Sequence, residues 1–293
     1  MKVLVTGALG HQGRAVIEHL RSGEFGRHEV YGLASDLSSP RARNLLERGV
    51  HVVEGELHDR TRMRALLEGV DGVFCVTTSA FDPGTETEQA RSVVDAAVDA
   101  GVSHIVYSSV SQAKGNLPTS TQSKFAVEEH IRDAGLPATI VRSPLFMQHF
   151  RRLSDDTAAG SLELPLSPET TLPLVDANDI GRAAAAAFAD PGQFVGATID
   201  LVGDALTPPE IAETFSDALG VPVEFTPITL SEYREQHGDE PATVYEWFED
   251  SVPEDVTPDL SAFGLVPQTL AQYLADVDTD TWRSTPPTAN NEQ

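Results

Sequence analysis

The sequence predicts an α/β fold: a doubly wound parallel sheet with a small mixed α/β lobe at its C-terminal end. Three observations predict it. Apolar strand-like runs alternate with amphipathic helices over the first 142 residues, a glycine-rich turn joins the first strand to the first helix, and after Arg142 the pattern breaks into shorter elements. The expected strands are Val3–Val5, Val30–Leu33, His51–Val53, Gly72–Thr77, His104–Tyr107 and Ala138–Val141. Between the fourth and fifth lies the clearest helix, where Ala90, Val93, Val94, Ala97 and Val98 recur at helical spacing and Gly101 ends the run. The helix before the sixth strand buries Val127, Ile131 and Ala134 and stops at Gly135.

Beyond Arg142, Leu162–Leu164 and Leu172–Val175 read as short strands and Asp179–Ala189 as an alanine-rich helix. Thr207-Pro208-Pro209-Glu210 is a capping box with proline in the first turn, opening a helix that ends near Leu219. Thr229-x-x-Glu232 opens another. The expected organisation is a core over residues 1–142 and a lobe over 143–278 that closes a cleft, with later segments free to return to the sheet. A polar, proline-containing tail covers 279–293.

Composition narrows the partners. Forty-five Asp and Glu face 20 Lys and Arg, a formal net charge of -25, while hydrophobic content of 40% is ordinary. Such a chain repels nucleic acid and anionic membrane, so neither is an expected partner. The acidity suits solvent at molar salt, where the Debye length falls to about 3 Å, and the source reads as a halophile. Cys75 is the only cysteine, which excludes internal disulfides and cysteine–zinc clusters, and its place in the fourth strand suits a small buried hydrophobe. The nine His show no metal-ligand spacing, so no metal is expected. No apolar run approaches about 18 residues and no basic leader precedes one, so a cytoplasmic location is expected.

The glycine turn carries the chemistry. Val3-Leu4-Val5-Thr6 runs into Gly7-Ala8-Leu9-Gly10-His11-Gln12-Gly13, and a helix bearing Val16, Ile17 and Leu20 follows. Gly7 permits the tight turn, Gly10 lets backbone approach a pyrophosphate, and Gly13 lets the helix pack against the sheet. The helix N-terminus offers its N–H groups to the anion. This is the dinucleotide-binding arrangement of a Rossmann domain. The ribose selector belongs at the end of the second strand, at Leu33-Ala34-Ser35-Asp36. Asp36 suits the 2′-hydroxyl of NAD, whereas Arg41 and Arg43 suit the 2′-phosphate of NADP. Glu56, after the third strand, is a candidate for the adenine edge, and Thr77 and Thr78 for the crevice at the end of the fourth.

Longer stretches resemble the NmrA-like branch of the atypical short-chain dehydrogenases. They are the glycine loop ending Gln12-Gly13, Ala100-Gly101-Val102-x-His104-x-Val106-Tyr107-Ser108-Ser109, and Ser123-Lys124-x-x-Val127-Glu128. Gly135-Leu136-Pro137-Ala138-Thr139, Arg142-Ser143-Pro144-Leu145-Phe146-Met147 and Asp176-x-x-Asp179-Ile180-Gly181 continue the likeness, and Leu206-Thr207 leads the later helix. The resemblance implies NAD(P) as cofactor, with NADP favoured. It implies that Gly7 to Gln12 hold the pyrophosphate and Glu56-Leu57 the adenine. Val76 to Thr78, Ser108, Lys124 and the segment Phe146-Met147-Gln148-His149 would surround the ribose and nicotinamide. Lys124 and Ser109 fall at catalytic positions of dehydrogenase relatives.

The departures bear on activity. Active relatives carry a tyrosine four residues before the lysine as general acid/base, and here that residue is Ser120. The arginine that follows the second strand in the family is Ser35, and the asparagine that ends the Phe146 segment is His149. Tyr107 points away from Ser108 and reads as packing. Two functions fit this pattern. One is a dinucleotide-responsive sensor that signals to a protein partner. The other is an NAD(P)H-dependent reductase of a quinone or activated alkene, which needs no phenol. The charge itself predicts that thermal stability rises as KCl increases from about 0.1 M towards molar; a midpoint that stays flat or falls counts against the halophile reading.

Overall fold

The computed structural model describes residues 1–77, 83–111, 119–153, 160–251 and 258–277. The first six strands are β1 (Lys2–Val5), β2 (Glu29–Ala34), β3 (His51–Glu54), β4 (Gly72–Cys75), β5 (His104–Val110) and β6 (Ala138–Ser143). They form one parallel sheet in the order 6-5-4-1-2-3, with a seventh strand added beyond β6. The order reverses at β1, so a crevice opens between the carboxyl ends of β1 and β4.

Side chains alternate across the sheet and feed two cores. On one face Val3, Val5, Phe74, Val106 and Val141 pack with Val16, Ile17 and Leu20 of α1 (His11–Ser22). On the other, Leu4, Val73, Cys75, Ile105 and Tyr107 pack with residues of three helices. These are α3 (Arg60–Leu67), α4 (Pro83–Ala100) and α5 (Thr119–Asp133), and α2 (Pro40–Glu47) lies outside β2 and β3. Buried in this way, the Cys75 thiol is pushed up to about 12 by desolvation.

The expected fourth strand, Gly72–Thr77, stops at Cys75. The cause is Thr6, whose hydroxyl donates to the Val76 carbonyl at 2.7 Å and accepts the Val76 N–H at 2.8 Å. A side chain has taken the backbone groups that would have continued the ladder.

After β6 come β7 (Leu145–Phe146), a 3₁₀ turn (Met147–Leu153), β8 (Ser161–Leu164) and β9 (Leu172–Val175). The alanine-rich helix α6 (Ala177–Ala189) begins two residues before Asp179, because Asp176 accepts the Asn178 N–H at 2.9 Å and caps it. It returns to the sheet and packs on α1 so closely that a Cβ on Gly181 would lie 2.5 Å from the Ala15 carbonyl carbon. A short turn, α7 (Pro191–Phe194), leads into β10 (Thr198–Asp200), the seventh parallel strand. The remaining elements are β11 (Asp204–Leu206), α8 (Pro208–Leu219), β12 (Glu224–Pro227), α9 (Leu230–His237), α10 (Asp239–Ser251) and α11 (Leu270–Asp276). At the expected capping box, Glu210 accepts both the N–H and the hydroxyl of Thr207, each at 2.8 Å. Thr229 and Glu232 cap α9 in the same way. The second lobe has its own core, built on Phe150, Leu162, Leu172, Phe215 and Tyr245.

The segment 258–277 serves two of the three cores, the one under α1 and that of the lobe. Leu260 and Leu265 belong to the sheet core, Leu270, Tyr273 and Leu274 to the lobe core. Between them, Asp179 of α6 accepts the Gln268 N–H at 2.8 Å and Asp204 accepts the Leu270 N–H at 2.9 Å. Burial, opposed by that backbone bond, pushes the Asp179 carboxyl up to about 6. The tail from residue 279 lies outside the described residues. Among the described residues no helix is long and apolar enough to cross a membrane.

The α1–α6 contact gives a direct test of this packing. Gly181→Val should lower stability by about 1–3 kcal/mol and the thermal midpoint by several degrees, since backbone rather than a flexible side chain stands in the way. A midpoint within a degree of wild type would show that the helices can move apart freely.

Candidate functional site

The glycine turn sits at the carboxyl edge of β1, at the crevice. Gly7 adopts φ 57°, and a Cβ there would press within 2.5 Å of a Val76 methyl. A Cβ on Gly13 would fall 2.2 Å from the Gly7 carbonyl oxygen. The Gly7 carbonyl also accepts the Gly10 N–H at 2.9 Å, which closes the turn. Gly10 is the N-cap of α1 and supplies no side chain; the first turn holds no acidic residue. By contrast α2, α3 and α6 are capped by the side chains of Ser39, Asp59 and Asp176. The first turn of α1 thus keeps N–H groups for an external anion, and the glycine cradle brings backbone up to it. The residues present fit a pyrophosphate.

Ala8 is buried in the sheet core, whereas Leu9, His11 and Gln12 are half-buried. Gln12 reaches across the crevice, its amide oxygen accepting the Ser108 hydroxyl at 2.6 Å. Leu9, Val76 and Phe146 pack against the edge of the sheet core and keep exposed surface, an apolar lining for a flat ring. His149 is exposed and lies 5.7 Å from the Phe146 ring.

The far end of the crevice is ionic. The Lys124 ammonium lies 2.7 Å from Glu86 Oε1, donates to Thr77 Oγ1 at 3.0 Å, and reaches the Ser108 carbonyl at 3.5 Å. Thr77 donates to the same Glu86 oxygen at 2.6 Å, and Ser123 donates to the other. Thr78 lies outside the described residues; Ser120 stands in the first turn of α5, one turn before Lys124. The chain therefore has no phenol at that position, and Tyr107 is fully buried, its hydroxyl pushed well above the ordinary range by desolvation.

The other expected residues each have surroundings of their own. Ser109 is 3% exposed and donates to Glu128 at 2.6 Å. Glu128 is held by both Arg142 and Arg132. Burial raises the Glu128 pKa, but the bonds from Arg142, Ser109 and Arg132 outweigh it and leave the carboxyl below its ordinary value. Met147 is fully buried in the lobe core. Gln148 donates to Asp176 at 2.6 Å and accepts the Ala177 N–H at 3.2 Å, bracing the start of α6. Leu57 is buried under α3 and Glu56 beside it is exposed. Ser35 and Asp36 are exposed after β2, and Arg41 is exposed in the first turn of α2. Asp36 is engaged by its own loop, accepting the Ser38 N–H at 2.7 Å, and the bonds from Ser38 hold its carboxyl low. No group of three or more His, Cys, Asp or Glu among the described residues is placed to hold a metal.

Glu86 belongs to none of the sequence motifs and Ser123 stands in one without an assigned role, although a signal exists for Glu86. It precedes Ala90, Val93, Val94 and Ala97 on the buried stripe of α4, an acid where the stripe calls for an apolar residue. Charge is also distributed unevenly. Residues 1–64 hold ten of the 20 basic residues but only eight of the 45 acidic ones. The acidic excess therefore falls beyond the glycine turn, α2 and α3.

Comparison with known proteins agrees with this fold. A model of the NmrA-like family matches residues 1–274. The (4-alkanoyl-5-oxo-2,5-dihydrofuran-3-yl)methyl phosphate reductase of Streptomyces griseus is 30% identical over 226 residues, covering 76% of each chain. The NAD(P)H azoreductase of Xenophilus azovorans is 29% identical over 235 residues, 80% of this chain and 79% of that one. The crystal structure of NmrA, a negative transcriptional regulator, in complex with NADP superposes with a TM-score of 0.72 at 26% identity, covering 97% of this chain and 94% of that one.

The position of Ser109 yields a prediction. Ser109→Ala should cost about 1.5–3 kcal/mol in a denaturant titration, because the hydroxyl bonds to a buried carboxylate, yet leave nucleotide affinity within about twofold. A large loss of affinity without loss of stability would return Ser109 to the crevice.

Proposed function

Because the chain belongs to the NmrA-like family, we propose that it binds NADP(H) along the crevice and reduces a small, flat, electron-poor acceptor such as a quinone. The observation that carries the nucleotide reading is the uncapped start of α1 over the Gly7–Gly13 contact. NADP over NAD is supported by Asp36, tied into its own turn, by exposed Arg41 and Arg43 in α2, and by the basic balance of residues 1–64. The two relatives at 29–30% identity that are named reductases support the chemistry.

When bound, the reduced nicotinamide supplies a hydride. The chain's own residues account for the rest. The first turn of α1 anchors the diphosphate, Gln12 and Ser108 fix the floor, and Leu9, Val76 and Phe146 hold a flat partner against the ring. No side chain of the described crevice is a phenol that could protonate an alkoxide, which argues against alcohol–ketone chemistry. An acceptor that becomes a stabilised anion on taking hydride needs only a proton from solvent or from exposed His149.

A second reading has its own support. The same cleft in a nucleotide-responsive regulator would need no acceptor, and the NmrA structure superposes over nearly the whole chain. Turnover separates the two. The purified protein should oxidise NADPH in the presence of a neutral quinone and leave simple secondary alcohols untouched with NADP. Gly10→Glu places bulk and negative charge at the start of α1 and should abolish both nucleotide binding and turnover. A folded Gly10→Glu protein of unchanged affinity would overturn the site; tight NADPH binding without reduction of any quinone would leave the regulator.

A further inference from the structure

Glu86 has no part in binding the diphosphate or lining the crevice, yet it is among the most completely engaged side chains of the site. Its side chain is 1% exposed. One oxygen takes the Lys124 ammonium at 2.7 Å and the Thr77 hydroxyl at 2.6 Å, and the other takes Ser123. Lys124, 15% exposed, directs its remaining donors to Thr77 and the Ser108 carbonyl, the residue that also holds Gln12. Thr77 follows β4, Glu86 lies near the start of α4 and Lys124 in α5, so the cluster ties three parts of the chain together around one ammonium. A carboxylate buried so fully needs compensation by charge and hydrogen bonds, and here it has both. The pair as a whole is electrically neutral.

That neutrality matters for a nicotinamide. The oxidised ring carries a formal positive charge and the reduced ring carries none, so a net charge beside the ring separates the two forms. A bare ammonium would repel the oxidised ring; an ammonium cancelled by Glu86 does not. We propose that Glu86 is a positioning residue that sets the charge at this end of the crevice, and thereby the relative affinity for the oxidised and reduced dinucleotide. The inference rests on the reading that the nicotinamide end lies beside Lys124, and it holds for a reductase and for a regulator alike.

The test is equilibrium binding of NADP and NADPH to the full chain, each by titration calorimetry, in wild type and three variants. Glu86→Gln keeps the shape and removes the negative charge. A unit charge within about a nanometre of the ring, at an effective dielectric of about 20, changes affinity on the order of tenfold. The ratio of the NADP to the NADPH dissociation constant should therefore rise about tenfold. Lys124→Gln removes the ammonium itself, so there the ratio should hold or fall and never rise; a rise in Lys124→Gln overturns the proposal even if Glu86→Gln does not fold. The double variant should return the ratio to that of wild type. A purely structural pair would weaken both forms together and leave the ratio within about twofold in Glu86→Gln, which overturns the proposal. Failure of wild type to bind either form overturns the nucleotide reading and this proposal together, whereas binding with an unmoved ratio overturns this proposal alone.

Discussion

The space between Gly7 and Gly13 holds a carbonyl oxygen where any other residue would carry a Cβ, and the rest of the site is arranged around that contact. It sets how near α1 comes to the sheet. Thr6, one residue earlier, binds both backbone groups of Val76 and so registers β1 against the end of β4. With those two strands locked, Gln12 arrives opposite Ser108, and Val76 and Thr77 leave the sheet towards the crevice. A dinucleotide site is thus made largely from backbone and from residues too small to obstruct it. That is why the glycine turn can be recognised in sequence while most of the side chains around it cannot.

The legible parts of the fold are those with local periodicity. Val3, Val5 and Leu4 alternate between two cores, and Val93, Val94 and Ala97 mark one face of a helix, so β1 and α4 were visible at once. The end of β4 was not, because it depends on a hydroxyl 70 residues away. Three-residue β10 has no periodicity of its own and is defined by β6. At the site, Lys124 was legible through resemblance, but its partner was not. Ser109 shows the same limit in reverse: its position suggested chemistry, and only the fold brings Glu128 and Arg142 to it.

Charge acts at two levels in this chain. The net charge of -25 rests largely on exposed acids, which salt readily screens. The buried groups are different, because each has a specific partner. Glu128 lies between Arg142 and Arg132, and Glu86 lies against Lys124. Asp179, buried with the Gln268 N–H as its hydrogen-bond partner and with Asp176 nearby, is pushed upward by desolvation, as is Asp200. At Glu128 the bonds from its partners outweigh burial, and at Asp179 burial outweighs the one backbone bond.

The segment 258–277 inserts Leu260 and Leu265 into the sheet core and Leu270 and Tyr273 into the lobe core. During synthesis the chain emerges from its N-terminus, so the glycine turn and six strands leave the ribosome long before these residues do. Both of these cores stay incomplete until they arrive, and α6 must meanwhile hold Asp179 without its Gln268 partner. The nascent protein therefore carries two incomplete cores late into translation, and a stop or cleavage ahead of residue 258 would release a chain in which only the core under α3, α4 and α5 is complete.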